Sequence, residues 1–219
     1  MANLDNAIDP SKRQPVSRPV VFLDKDGTLI KDLPYNVNPD LIILEEGAAL
    51  GLRQLIKAGF EFVVVTNQSG VAHGYFKETA LEGVKQRLNW LLMQSAGASL
   101  SGFYYCPHHP EGVVPGYNIA CDCRKPHPGM LLRAAEELNI DLSQSWMAGD
   151  VLNDIEAGNR AGCRTILINN GHETEWQMGP FRIPDFIASD LNEAAGIILA
   201  HTEWNATPLK PLWHSTPNP

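Results

Sequence analysis

Short apolar runs that end on polar residues recur along this chain, with helix-patterned stretches between them. Residues 19–24 read Pro-Val-Val-Phe-Leu-Asp, and residues 60–66 read Phe-Glu-Phe-Val-Val-Val-Thr. A run with so little polar alternation suits a strand covered on both faces, as in a parallel sheet. Similar runs occupy residues 100–106, 145–149 and 164–169, with a weaker one at 185–188. Helices are predicted over residues 48–58, 76–96, 128–139, 151–161 and 191–200. Leu52, Leu55 and Ile56 share a face of the first, which Gly59 ends. Leu81, Val84, Leu88 and Leu91 form a stripe along the second, and Leu131, Ala135 and Leu138 are placed inward on the third. Strands alternating with helices predict an α/β fold: a Rossmann-like parallel sheet with helices on both faces. Sites in such sheets form outside the carboxyl ends of the strands, where Asp24, Thr66 and Asp150 stand.

At 219 residues the chain suits one domain. The expected organisation is a loose arm over residues 1–18, a single domain over 19–200 and a tail over 201–219. The 17 Lys and Arg against 25 Asp and Glu give a net charge of −8, which argues against a nucleic-acid binder. A local cation cluster can still hold a phosphorylated small molecule. No apolar run approaches the ~20 residues of a membrane span, and the first residues lack a signal-peptide pattern. These features predict a cytoplasmic protein with neither membrane nor nucleic-acid partner, and a monomer.

The chemistry-bearing residues sit at the predicted strand ends. Asp24-Lys-Asp26-Gly27-Thr28 follows the first strand. Two carboxylates so close repel one another unless a metal ion neutralises them or one is protonated. Thr66-Asn67-Gln68-Ser69-Gly70 follows the second strand, with a hydroxyl and loop amides suited to phosphate oxygens. Arg124 and Lys125 precede the third large helix, and Gly149-Asp150 with Asp154 four residues on follows the fourth strand.

Cys106-Pro-His108 and Cys121-Asp-Cys123 frame a loop, residues 106–127, rich in Gly and Pro. Three thiolates and an imidazole suit tetrahedral Zn²⁺, with His109 as the alternative to His108. A disulfide within Cys121-Asp-Cys123 would be strained. A closed set of four ligands is structural, and it would fix the adjacent Arg124 and Lys125. Cys163 reads as a core residue.

The four motifs in order resemble the haloacid dehalogenase superfamily, and the Cys-x-His and Cys-x-Cys-Arg-Lys-Pro pattern within them resembles the D-glycero-D-manno-heptose 1,7-bisphosphate 7-phosphatases. The histidinol-phosphate phosphatases share the zinc loop and remain an alternative, as does a zinc-loop binding module on an inactive scaffold. The resemblance implies a Mg²⁺-dependent phosphoric monoester hydrolase on the route from heptose bisphosphate toward lipopolysaccharide or S-layer glycans. It implies Asp24 as nucleophile and Asp26 as general acid and base, with Thr66 and Lys125 on the transferring phosphate. Mg²⁺ would be held by Asp24, Asp26 through its carbonyl, and Asp150. Substrate contacts would come from Asp32, Leu33, Pro34, Tyr35, Thr66, Asn67, Gln68, Ser69, Arg124 and Lys125. An acid at position 26 sets the chain apart from dehalogenases and ion-pumping relatives, though a phosphomutase also uses one. Pro34 and Val151 depart from the family pattern. The loops at 24–47 and 67–75 are too short for a large cap domain.

Overall fold

The computed structural model describes residues 19–202. The expectations for the arm at 1–18 and for the tail beyond residue 202 lie outside them. His201, placed in the tail above, belongs to the last helix.

Six parallel strands form one sheet in the order β3-β2-β1-β4-β5-β6. They are β1 (Val20–Leu23), β2 (Glu61–Asn67), β3 (Gly102–Cys106), β4 (Trp146–Gly149), β5 (Arg164–Ile168) and β6 (Phe186–Ala188). Five helices connect or follow them: α1 (Ala48–Lys57), α2 (Ala80–Ala96), α3 (Gly129–Leu138), α4 (Leu152–Ala161) and α5 (Leu191–His201). The sheet is buried on both sides, which is why its strands read as near-continuous apolar runs. Val21 and Leu23 pack with Leu52, Leu55, Leu88 and Ile198 beneath α1, α2 and α5. Val20 and Phe22 pack with Met130, Leu131, Ala134 and Ala157 beneath α3 and α4. Cys163 is buried in that second cluster.

Four helical details differ from the sequence pattern. Helix α2 begins at Ala80 rather than at residue 76. The Phe76 ring lies where a side chain on Gly70 would fall, so it is held by the preceding loop. The buried stripe of α2 runs Leu81, Val84, Leu88 and Leu92, because two steps of four follow the first step of three; Leu91 is only half-buried. In α3 the buried face is Met130, Leu131 and Ala134, while Leu138 is 39% exposed. Pro128 stands just outside α3 as its N-cap.

The order of strands turns back on itself between β1 and β4, the place where open α/β sheets part their loops to admit a ligand. Asp24 leaves β1 there, and its backbone N–H donates to the Ala148 carbonyl of β4 at 3.0 Å. The carboxyl ends of β1, β2 and β4 are thus adjacent. Among the described residues no helical cap domain covers them.

Helix α1 crosses α5 at Gly51, where a Cβ would lie 2.2 Å from the Leu191 carbonyl oxygen. Gly51→Val is therefore expected to force the two helices apart and destabilise the fold by ~1–3 kcal/mol. Leu50→Val, at a half-exposed neighbour, should stay within ~0.5 kcal/mol. Urea unfolding of the two variants checks the difference.

Candidate active site

The chain turns sharply after β1. Leu29 and Ile30 both donate backbone N–H groups to the Lys25 carbonyl, at 3.1 and 2.9 Å, and Gly27 donates to Ile30 at 2.8 Å. Gly27 has φ +77°, and a Cβ there would lie 2.2 Å from Asp150 Oδ2 and 2.4 Å from His172 Nδ1. Only glycine lets this turn close so near the carboxylates.

Asp24, Asp150 and Asp154 are buried and bring carboxylate oxygens within 4.8 Å of one another. Lys125 enters from the far end of the zinc loop. Its Nζ stands 2.6 Å from Asp24 Oδ1, 2.6 Å from Asp154 Oδ1 and 2.9 Å from the Val65 carbonyl. Burial works against the ammonium, but the Asp154 and Asp24 carboxylates outweigh it and hold Lys125 above its ordinary value. Burial, reinforced by Asp24, raises Asp150 to about 6. Burial also raises Asp154, to about 7, against the pull of Lys125.

Asp154 reaches this position from the first turn of α4, where its Oδ2 also accepts the Val151 N–H at 3.3 Å. Both oxygens of Asp150 are oriented: Thr28 Oγ1 donates to Oδ1 at 3.0 Å, and His172 Nδ1 stands 2.7 Å from Oδ2. The segment after β5 supplies that imidazole, and it is anchored at two further points. Asn170 Nδ2 donates to the Gly27 carbonyl at 2.6 Å, and Glu173 accepts the Leu152 N–H at 2.7 Å. His172 and Asn170 carry no motif that the sequence reading could have used. They were missed because only the β4-β5 pairing brings them back beside Asp150.

Asp26 is half-buried at the mouth of this cluster. Lys25 Nζ lies 2.7 Å from its Oδ1, and Gln68 Nε2 donates to its Oδ2 at 3.2 Å. Burial, with help from Asp24, raises its pKa against the opposing Lys25. Gln68 also donates to Thr66 Oγ1 at 2.9 Å, so it links the β1 and β2 loops. The Asn67 amide is engaged at both ends by Lys125: Nδ2 donates to the Lys125 carbonyl and Oδ1 accepts its N–H, each at 3.0 Å. Asp26, Asp32, Pro34, Tyr35, Gln68 and Ser69 are among the residues around a cavity of about 250 Å³ at this mouth. Leu33 is 44% exposed and does not line that cavity. Arg124 is half-buried, with Nη1 3.4 Å from the His108 carbonyl.

The metal-binding potential of these groups follows from charge. Asp24, Asp150 and Asp154 carry −3 when ionised and Lys125 carries +1, leaving −2 in a buried space. A hard divalent cation with oxygen ligands, such as Mg²⁺, neutralises that remainder.

The second cluster lies in the loop between β3 and α3. Sulfur–sulfur distances among Cys106, Cys121 and Cys123 are 3.4, 3.2 and 3.0 Å. His108 Nδ1 is 3.4 Å from Cys123 Sγ and 3.7 Å from Cys106 Sγ. These separations are too long for a disulfide of ~2.05 Å. They approach the ~3.8 Å edges of a tetrahedron with Zn–S bonds of ~2.3 Å. Hydrogen bonding from Cys106 lowers the Cys123 thiol to about 5, in the direction a metal ligand needs. His109 is turned away: its Nδ1 accepts the Glu111 N–H at 3.2 Å.

Comparison with known proteins identifies the family. A family profile described as HAD-hydrolase-like matches residues 122–194. The D-glycero-β-D-manno-heptose-1,7-bisphosphate 7-phosphatase of Escherichia coli K12 is 45% identical over 156 residues, covering 71% of this chain and 81% of that protein. The chain belongs to this phosphatase family within the haloacid dehalogenase superfamily. Among solved structures, a protein from Mesorhizobium loti described as HAD-like superposes with a TM-score of 0.74 at 34% identity, covering 87% of this chain and 90% of that one. The D,D-heptose 1,7-bisphosphate phosphatase of B. bronchiseptica, solved with magnesium and phosphate, superposes with a TM-score of 0.67 at 30% identity. That match covers 83% of this chain and 98% of that one. Membership makes this chain a phosphoric monoester hydrolase. Among the described residues no helix is long and apolar enough to cross a membrane.

Two outcomes are expected. Asp150 at about 6 and Asp154 at about 7 lie above the ~3.9 of an unfolded aspartate. The folded, magnesium-free protein therefore holds extra protons between about pH 4 and 7, and loses stability as the pH rises through that window. Its Tm should fall from pH 5 to pH 8, and added Mg²⁺ should flatten the slope; thermal scans with and without the ion test this. Removing zinc should raise hydrogen exchange across residues 106–127 before it affects the sheet. Metal analysis should find roughly one zinc per chain.

Proposed function

We propose that this protein removes the 7-phosphate of D-glycero-D-manno-heptose 1,7-bisphosphate through an aspartyl-phosphate on Asp24. The observation that carries the reading is the meeting of Asp24, Asp26, Lys125 and Asp150 at the sheet's switch point, in a chain 45% identical to such an enzyme. Asp24, Asp150 and the Asp26 carbonyl would hold Mg²⁺, which would supply charge neutralisation between an anionic nucleophile and an anionic phosphate.

Asp24 attacks phosphorus in line with the departing sugar oxygen. As the P–O bond to carbon 7 breaks, Asp26 gives its proton to that oxygen. The raised pKa of Asp26 keeps the proton available. Asp26, now a carboxylate, takes a proton from the incoming water. The water attacks phosphorus, the bond to Asp24 breaks and inorganic phosphate leaves. Lys125 and the Thr66 hydroxyl hold the equatorial oxygens while charge shifts among them. Asn67 fixes Lys125 through its backbone, and Gln68 sets the direction of Asp26. Asp154 balances Lys125 from below. Arg124 grips the second phosphate, since a guanidinium makes two parallel hydrogen bonds to such a group.

Asp24→Asn is expected to abolish turnover with the fold intact, and Asp26→Asn to slow it by ~10²-fold or more. Arg124→Ala should lower kcat/KM at least tenfold for the bisphosphate and little for a small monophosphate. Phosphorus NMR should show the carbon 7 ester lost first. Loss of the carbon 1 phosphate first, or better turnover of histidinol phosphate, would overturn the substrate reading and leave the phosphatase chemistry standing.

A further inference from the structure

Four rings from three loops meet beside the active-site cavity. Tyr35 comes from the loop after β1, His73 and Tyr75 from the loop after β2, and His109 from the zinc loop. Tyr75 meets Tyr35 edge to face, with centroids 4.6 Å apart and planes at 74°. His73 stacks beside Tyr75 at 5.6 Å and 28°. His109 lies 4.8 Å beyond His73. The series runs without a break from Tyr35, which lines the cavity holding Asp26, to His109 of the zinc loop.

Folding does not explain the two tyrosines. Tyr35 is 52% exposed and Tyr75 is 63% exposed, so neither contributes much core burial. Tyr35 also has φ +56°, a left-handed conformation that a bulky residue adopts only when its surroundings impose it. Such outliers cluster at ligand sites.

The loops that carry the rings are latched together. Val113 and Val114 of the zinc loop both donate backbone N–H groups to the Ala72 carbonyl, at 2.8 and 2.9 Å. Tyr75 N–H bonds the Gly70 carbonyl at 2.9 Å, and His73 N–H bonds the Ser69 carbonyl at 3.0 Å. A preorganised aromatic surface binds a ligand without the added entropy of ordering its loops.

We propose that Tyr75 and His73, which lie outside the four motifs, set substrate specificity by completing with Tyr35 an aromatic rim that receives the sugar. The C–H face of a sugar ring packs on such rings, while the phenol and imidazole edges offer hydrogen bonds to hydroxyls. The sugar carries the substrate outward from the transferring phosphate, and the rim starts at Tyr35 on the wall of the cavity that holds Asp26. A sugar bisphosphate thereby gains contacts that a short-chain phosphate ester cannot make. This inference rests on the sugar-phosphate reading above.

The test compares wild type with Tyr75→Ala, Tyr75→Phe and His73→Ala, using heptose 1,7-bisphosphate and ring-free glycerol 3-phosphate. Tyr75→Ala should raise KM for the bisphosphate about 5–10-fold, the size of one aromatic contact, with kcat within about twofold. Its kinetics on glycerol 3-phosphate should not change. Tyr75→Phe should restore most of the loss, because the ring face is kept. His73→Ala should raise KM in the same selective way. Equal damage on both substrates would assign Tyr75 a structural role, and unchanged KM for the bisphosphate would show that the rim is idle; either result overturns the proposal. Wild-type enzyme that shows no preference for the bisphosphate over glycerol 3-phosphate would overturn the substrate reading, and the rim with it. A preference kept intact in Tyr75→Ala would overturn the rim alone. Because Tyr75 is exposed, thermal unfolding should show all three variants folded.

Discussion

A single buried ammonium holds the site together. Lys125 is 3% exposed and touches Asp24 from β1, Asp154 from α4 and the Val65 carbonyl of β2. Three parts of the sheet edge are thereby tied to one point. Burying charges costs several kcal/mol per ion, and the arrangement persists only because each is paired and hydrogen-bonded. The pairing is deliberately incomplete in charge: three acids face one cation. The residue of −2 that results suits a hard divalent cation.

Lys125 in turn depends on what precedes it. Cys123 belongs to the Cys/His cluster two positions earlier, so a metal held there would fix the chain just before the cation enters the core. Asn67 then fastens the Lys125 backbone at its N–H and its carbonyl. The loop leaves Val113 and Ile119 exposed, so its own apolar side chains bury little surface. A closed Cys₃His site supplies the ordering that a hydrophobic core supplies elsewhere. The same loop is latched to Ala72, so its influence extends to the rim of the cavity as well as to its floor.

The absence of a large helical cap among the described residues shifts recognition onto loops. Capped relatives can exclude water by domain closure. Here short loops, each hydrogen-bonded to the next, make the walls: Gln68 bridges Asp26 and Thr66, Asn170 bridges the β5 segment and Gly27, and Glu173 caps the start of α4.

Much of this was legible in the chain. Parallel strands covered on both faces demand continuous apolar runs, so the sheet could be read from Val20–Leu23 and Glu61–Asn67 alone. Asp24, Thr66 and Asp150 fall at strand ends because the chain must leave the sheet there. Three cysteines and a histidine at short spacing declare a metal by their chemistry. Other features could not be read, since they depend on contacts distant in sequence. The start of α2 was misplaced because the Phe76 ring packs over Gly70. Leu138 fits a helical stripe yet stays half-exposed because the sheet covers the Met130 side of α3. The choice of His108 over His109 depends on the fold of the loop, as does the chain of rings from Tyr35 to His109. The sequence by itself determined the class of fold and the residue types for phosphoryl transfer, because periodicity and charge are local properties. Only tertiary structure decided which acid would face Lys125, that His172 would orient Asp150 and that Asn67 would clamp a backbone 58 residues away. Those contacts form only when β1, β2, β4 and β5 are set side by side.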